Sequence, residues 1–244
     1  MMNIKPLLFG LTSLIFPSNC LVCKEVLSGV KSVDAVICET CEQGLKPNTQ
    51  PFCPKCSRHL KNPTLDVPCS ECQRREPSFN QAWGTSFYNR EMKNVIHLFK
   101  YRNKIGLRHL FQKQMVTFIN DYRVPIKTFD GLVAVPLHPS KMRERQYNQS
   151  EILSEMISRV FNVPVLKNTI IRAKATKPQA LLNEKERWTN VKDAFRIRQP
   201  LKLEGQSILI IDDLMTTGAT VCEIALTLKN SGAKDASALT LAIA

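Results

Sequence analysis

Aromatic residues are scarce in this sequence, at 7%, and they are not interleaved with basic ones, which argues against a dedicated stacking platform for single-stranded nucleic acid. There is no Gly-Lys-Ser/Thr loop and no G-x-G-x-x-G in the 244 residues, so the chain carries neither a Walker phosphate loop nor a dinucleotide-binding turn. Long apolar runs are also missing. The strongest candidate, KPLLFGLTSLIF at residues 5–16, is followed by Pro17 and a CxxC rather than by a small-residue cleavage site. As an apolar stretch of about eleven residues it is too short to span a bilayer, and an amphipathic helix packed on the protein is expected instead. A soluble, cytoplasmic chain with no membrane span follows as the expectation. Acidic residues are in deficit, 21 against 34 Lys and Arg, for a formal net charge of +13. The deficit is uneven: residues 1–80 hold nine basic and seven acidic residues (+2), and residues 81–244 hold 25 and 14 (+11). Such an excess favours polyanionic partners, namely phosphates, pyrophosphate or nucleic acid, over a merely solvated basic surface.

What is present is concentrated in SILIIDDLMTTGAT, residues 207–220. Four consecutive apolar residues without polar alternation fit a strand buried on both faces of a parallel sheet. Successive strand side chains point to opposite faces, so Asp212 and Asp213 are expected to serve one ligand only if regular strand geometry stops near Ile211. Thr216, Thr217, Gly218, Ala219 and Thr220 then supply hydroxyls and backbone N–H groups. An apolar helical pattern follows at Val221, Ile224, Ala225 and Leu228, so a phosphate on the loop would meet the positive end of a helix dipole. Acids beside an anion nest suit a ligand carrying both hydroxyls and a phosphate, which describes a sugar phosphate. A buried strand with a capped helix start, and no ligand, leaves two adjacent acids unexplained.

Eight of the nine cysteines fall into four CxxC pairs: Cys20/Cys23, Cys38/Cys41, Cys53/Cys56 and Cys69/Cys72. Each pair puts two thiolates on one tight knuckle, and knuckles at this spacing complete tetrahedral zinc sites. Two zinc ions are expected, on consecutive pairs in the simplest assignment, with interleaved pairing left open. Closed four-cysteine sites leave no position for substrate, so these metals are structural. His59 reads as a surface residue and Cys222 as a small buried packing group.

After Arg75 the pattern changes. AWGTSFY (82–88) reads as a strand, Met92 to Phe99 as a short helix, and Leu107, Leu110, Phe111, Met115 and Phe118 as core positions of another. Lys100, Tyr101, Arg102 and Lys104 form either a solvated turn or part of an anion site. DGLVAVP (130–136) is a further apolar strand, followed by a very basic loop, 140–150, and a helix with Ile152, Leu153, Met156, Ile157, Val160 and Phe161 on its apolar face. Ligands in open α/β sheets bind beyond the carboxyl ends of strands. Lys141, Arg143 and Arg145 are placed there, and arginine forks pair two phosphate oxygens at once. Residues 172–197 are polar, long and poor in apolar periodicity, as expected of a lid loop or a solvated connection.

IDDLMTTGAT closely resembles the phosphoribosyl pyrophosphate (PRPP) motif of type I phosphoribosyltransferases. That resemblance implies an α/β fold, a parallel sheet flanked by helices, over residues 79–244, behind an N-terminal helix and double zinc-ribbon module in residues 1–78. It implies that Asp212 and Asp213 bind the ribose hydroxyls, that Thr216 to Thr220 hold the 5′-phosphate, and that Lys141, Arg143 and Arg145 meet pyrophosphate together with Mg2+. Ala219 stands where many members carry a second glycine, a departure worth roughly 1 kcal/mol if the backbone there needs φ > 0. Together with RERQYNQS, TKPQALLNEKERWTNVKDAF and the LIFPSNCLVC start, the motif resembles the ComF family of competence-associated phosphoribosyltransferase-like proteins over nearly the whole chain. The family resemblance implies a cytosolic role in natural transformation, on incoming single-stranded DNA and alongside a DNA translocase. Three functions fit it: phosphoribosyl transfer, PRPP or DNA binding without transfer, and nucleobase salvage with the zinc module or residues 82–105 as the acceptor hood.

Overall fold

The structure, a computed structural model, describes residues 19–27, 36–60, 67–176, 182–198 and 203–244. The helix expected in residues 5–16 lies outside them. Two apolar runs build the centre. Strand β5 (Ser207–Met215) is buried on both faces over Ile208–Ile211, and strand β6 (Asp235–Ile243) from its second residue onward, the pattern of strands covered on both faces. They pair in parallel, Ile211 opposite Leu239. Strand β1 (Ala82–Phe87) adds to the far side of β6, and β2 (Gly131–Ala134) to the far side of β5. The resulting four-stranded sheet has the order β1-β6-β5-β2, all strands parallel. Residues 82–105, considered as a hood, therefore belong to the main sheet and its first covering helix.

Alternation along β5 and β6 divides the core in two. Leu209, Ile211, Leu239 and Leu241 face helices α3 (Arg90–Tyr101), α4 (Leu107–Asp121) and α6 (Gln149–Phe161), with Phe99, Phe111, Leu153 and Ile157 in the same cluster. Ile208, Ile210, Ala236 and Ala238 face helix α8 (Ala219–Asn230), against Ile224, Ala225 and Leu228. All five core positions expected on α4 are buried. On α6 the buried apolar residues are Leu153, Met156 and Ile157, whereas Val160 is exposed.

Two segments differ from the sequence reading. The basic stretch 140–150 is not a loop throughout: helix α5 (Pro139–Arg145) occupies its first half. Pro139 supplies the fixed φ of a first helical turn, and His138 accepts from the Ser140 N–H as its cap. Nor is 172–197 a structureless connection. Strand β3 (Ile170–Arg172) pairs antiparallel with β4 (Phe195–Ile197). Between them lies helix α7 (Glu184–Val191), started by a capping box in which Asn183 and Glu186 satisfy each other's backbone N–H. Ile170, Val191, Ala194 and Phe195 join the α8-side core. Residues 177–181, where a lid would have its tip, are outside the described residues.

The cysteine module, with its short helices α1 (Glu39–Gln43) and α2 (Ser70–Arg74), is laced to the edge of the sheet. The Asn48 N–H donates to Thr85 O and the Phe87 N–H to Lys46 O, so residues 46–48 run beside β1. The buried Asn48 side chain adds bonds to Ser57 O at 2.8 Å and Gly84 O at 2.9 Å. A parallel-sheet edge is thereby covered instead of presenting unpaired amides.

Candidate functional site

Strand β2 ends its pairing with Ala134 opposite Ile211, while β6 stays paired to β5 as far as Ile243 opposite Met215. The expectation that strand geometry stops near Ile211 is thus corrected: β5 continues through both acids to Met215. What changes past Ile211 is the loss of a neighbour on one side. Asp212, half-buried, and Asp213, buried behind it, therefore lie at the carboxyl end of the sheet past the end of β2, where ligands bind in such folds.

Strand alternation sends the two acids to different partners. Asp213, 4% exposed, meets Lys100 at the end of α3, with Oδ1 2.8 Å from Nζ. Burial alone pulls a lysine down, but the charge and hydrogen bond of Asp213 outweigh it, and Lys100 sits above its ordinary value. Asp212 accepts from the Ser150 hydroxyl at 3.0 Å and from the Asp213 N–H at 2.9 Å. Burial, then repulsion from Asp213, pushes its carboxyl up to about 7, against opposing pulls from Lys100, the Asp213 N–H and Ser150.

The loop after β5 has the form of an anion nest. Gly218 caps α8 with φ +81°, a left-handed conformation that glycine adopts without strain. The Thr217 hydroxyl accepts from the Ala219 N–H at 3.4 Å. Ala219 is the first helical residue, 1% exposed and outside the positive-φ set. Its departure from a glycine therefore costs nothing in backbone strain.

Of Lys141, Arg143 and Arg145, Arg145 comes near enough to the acidic pair for its charge to act on Lys100. Its guanidinium lies 4.7 Å from the Tyr101 ring centroid and donates to the Tyr101 hydroxyl at 2.9 Å and to Gln149 Oε1 at 3.1 Å. Lys141 is bound to Glu144 at 2.5 Å on the exposed face of α5, and Arg143 is exposed beside it. Three further groups were missed or left open by the sequence. Lys100 is the ion-pair partner just described. Arg172, at the end of β3, lies 5.5 Å from the Phe195 ring centroid, and burial lowers its pKa while the charge of Asp212 counters. Gln149 precedes Ser150 at the start of α6. Arg145 Nε, Gln149 Nε2 and Arg172 Nε are buried donor atoms with no acceptor among the described residues. Each donor is worth about 1–3 kcal/mol when satisfied compared with left bare, so an acceptor-rich anion suits this side of the crevice.

The cysteines form two compact quartets, Cys20/Cys23/Cys38/Cys41 and Cys53/Cys56/Cys69/Cys72, with all Sγ atoms in each within 4.8 Å of one another. This is the consecutive pairing, not the interleaved one. Zinc bonds of about 2.3 Å set tetrahedral sulfurs about 3.8 Å apart. Cys23 and Cys38 lie at 3.6 Å, and Cys56 and Cys69 at 3.7 Å. Backbone N–H groups point at the sulfurs, Cys38 to Cys20 at 3.3 Å and Cys69 to Cys53 at 3.2 Å. Both quartets fit zinc and are closed by four ligands, so the metals are structural. His59 is exposed, with its ring edge-on to Phe87, and Cys222 is buried. No helix among the described residues is long and apolar enough to cross a membrane.

Parallel sheet, acidic pair and Thr/Gly loop behind two four-cysteine sites define a protein of phosphoribosyltransferase fold with a zinc-ribbon module. Comparison with protein families gives the same two parts: a double zinc ribbon domain matches residues 11–73 and a phosphoribosyl transferase domain matches residues 149–243. The chain is 27% identical to Competence protein F of Haemophilus influenzae over 90% of its length and 94% of that protein. It is 30% identical to DNA utilization protein YhgH of Salmonella typhi, covering 81% and 86%. It is 31% identical to Competence protein ComFC of Bacillus subtilis, covering 77% and 75%. The chain belongs to the ComF family.

Proposed function

We propose that the crevice beyond β5 binds PRPP, and that the chain serves natural competence as a PRPP-dependent protein handling transforming single-stranded DNA. The observation that carries the reading is the pairing of opposites in one crevice. The Asp212 carboxylate, suited to ribose hydroxyls and backed by the Lys100–Asp213 pair, stands beside three donors, on Arg145, Gln149 and Arg172, that have no acceptor among the described residues, and next to a glycine-capped helix start. A ligand with vicinal hydroxyls, a diphosphate and a separate phosphate answers all three features.

In the bound state Asp212 would accept from the ribose hydroxyls, with Asp213 behind it held by Lys100, and the Thr216–Thr220 loop would bond the 5′-phosphate. Lys100, Arg145 and Arg172 would receive the charge that gathers on pyrophosphate as its bond to C1 breaks. Most of the rate enhancement would come from holding an acceptor nitrogen against C1 in a dry site. Magnesium fits the donor set: with Asp213 engaged by Lys100, Asp212 would be the carboxylate to hold it. When bound it would neutralise part of the diphosphate charge.

A second reading, PRPP or DNA binding without transfer, is favoured by the basic excess of +11 over residues 81–244 and by exposed Arg143 on α5. Pyrophosphate release from PRPP, measured with a panel of free bases and single-stranded DNA, separates the two. Release with any acceptor supports transfer. PRPP binding without release from any acceptor rejects transfer and leaves binding.

A further inference from the structure

We infer that Arg58 is a positioning residue through which the second zinc ribbon sets the shape of the phosphate loop. Arg58 lies two residues beyond Cys56 in the knuckle CPKCSR. Its guanidinium leaves the zinc module and donates to two backbone oxygens of the sheet domain. Nε reaches Ala244 O at 3.1 Å, and the terminal nitrogen reaches Thr216 O, the first residue of the loop. Both acceptors lie at the carboxyl end of the central strands, where the Ala244 N–H also donates to Met215 O at 3.1 Å. One planar fork thus ties the ends of β5 and β6 together just where the loop departs, a task its fixed geometry suits and a lysine's single charge does not.

The fork is anchored on the zinc side. The Cys53 N–H donates to Arg58 O at 2.7 Å and the Ser57 N–H to Cys53 O at 2.8 Å, closing the knuckle. The Ala82 N–H donates to Lys55 O at 2.9 Å, and the Ser57 hydroxyl to Ala82 O at 2.8 Å, fixing that knuckle on β1. On the other side, one cleft is lined by Cys56, Cys72 and Arg58 together with Met215, Thr217 and Gly218. Packing continues through Phe79, whose ring lies 3.7 Å from where a Gly218 Cβ would sit. Closing the zinc site places the knuckle, the knuckle places the Arg58 fork, and the fork fixes the Thr216 carbonyl from which the phosphate loop sets out.

The ligand arm of the test rests on the PRPP reading, so a second readout that needs no ligand accompanies it. Arg58→Met and Arg58→Lys are compared with the intact protein for zinc content, for amide hydrogen exchange across Met215–Thr220, and for PRPP affinity by calorimetry. Both variants are expected to keep two zinc ions per chain, with loop exchange about tenfold faster in Arg58→Met and an intermediate change in Arg58→Lys. PRPP affinity is expected to weaken by about the same factor, consistent with one charged hydrogen bond. Unchanged loop exchange in both variants with zinc retained overturns the inference. Loss of zinc in both also overturns it, because Arg58 is then part of the zinc site itself. If the intact protein does not bind PRPP, the PRPP reading fails while the exchange comparison still decides the role of Arg58.

Discussion

Lys100 Nζ and Asp213 Oδ1 are 2.8 Å apart in a place where their side chains are 19% and 6% exposed. The pair joins the last turn of the first covering helix to the second acid of the central strand, so the crevice and the fold share one interaction. Removing one partner of such a pair strands the other charge in a site that cannot solvate it, at a cost of about 3–5 kcal/mol. Lys100→Met should therefore lower unfolding free energy by about that amount in urea titration, and adding Asp213→Asn should recover a large part of it. A loss below about 1 kcal/mol for the single variant contradicts a buried pair.

The pH dependence centres on Asp212. Its carboxyl goes from an ordinary value of 3.8 to about 7 in the folded chain, so folding takes up a proton between those values. The penalty for burying it is absent below about 4 and complete above about 7, and stability from this group falls as pH rises through the window. Ligand affinity should move the other way, because only the ionised carboxylate accepts from two ribose hydroxyls. PRPP affinity measured from pH 5.5 to 8.5 should rise through about 7, and Asp212→Asn should flatten the profile.

Gly218 tests the loop without touching charge. Its φ of +81° is the problem for any side chain, since an added Cβ would meet only Phe79 at an ordinary 3.7 Å. Gly218→Ala should cost about 1–2 kcal/mol of stability and weaken PRPP binding, whereas Ala219→Gly should do neither beyond helix propensity. Equal effects from the two substitutions would show that the left-handed cap is not what shapes the nest.

The central strand and the zinc sites were legible in the sequence because each rests on a local rule. A continuous apolar run means burial on both faces, and four CxxC knuckles mean two closed tetrahedra. Lys100 was not legible: it stands at the end of an amphipathic helix among Tyr101, Arg102 and Lys104, and only the packing of α3 on the sheet decides which cation meets Asp213. Arg172 and Gln149 likewise acquire meaning from where β3 and the start of α6 are brought. Helix α7 did carry a signal, Asn183 followed three residues later by Glu186, but its near-absence of apolar periodicity concealed it. Helix α5 was hidden in the same way by its run of charges.

Chelation addresses the zinc ribbons. With few large apolar residues between Cys20 and Cys72, the module depends on its metals for folding free energy. Stripping zinc should open residues 36–72 to protease and also lower the melting temperature of the sheet domain, because Asn48, Ser57 and Lys55 bond β1 directly. A sheet domain that melts unchanged after zinc loss contradicts that lacing.

The most direct measurement is calorimetric titration of PRPP, with Mg2+, into the intact zinc-loaded protein and into Asp212→Ala and Asp213→Ala variants that retain both zinc ions. The account predicts saturable binding near one equivalent per chain that falls by at least about tenfold in each variant, the scale of a lost charged hydrogen bond. Binding that survives both substitutions undiminished, or no binding to the intact protein, contradicts it.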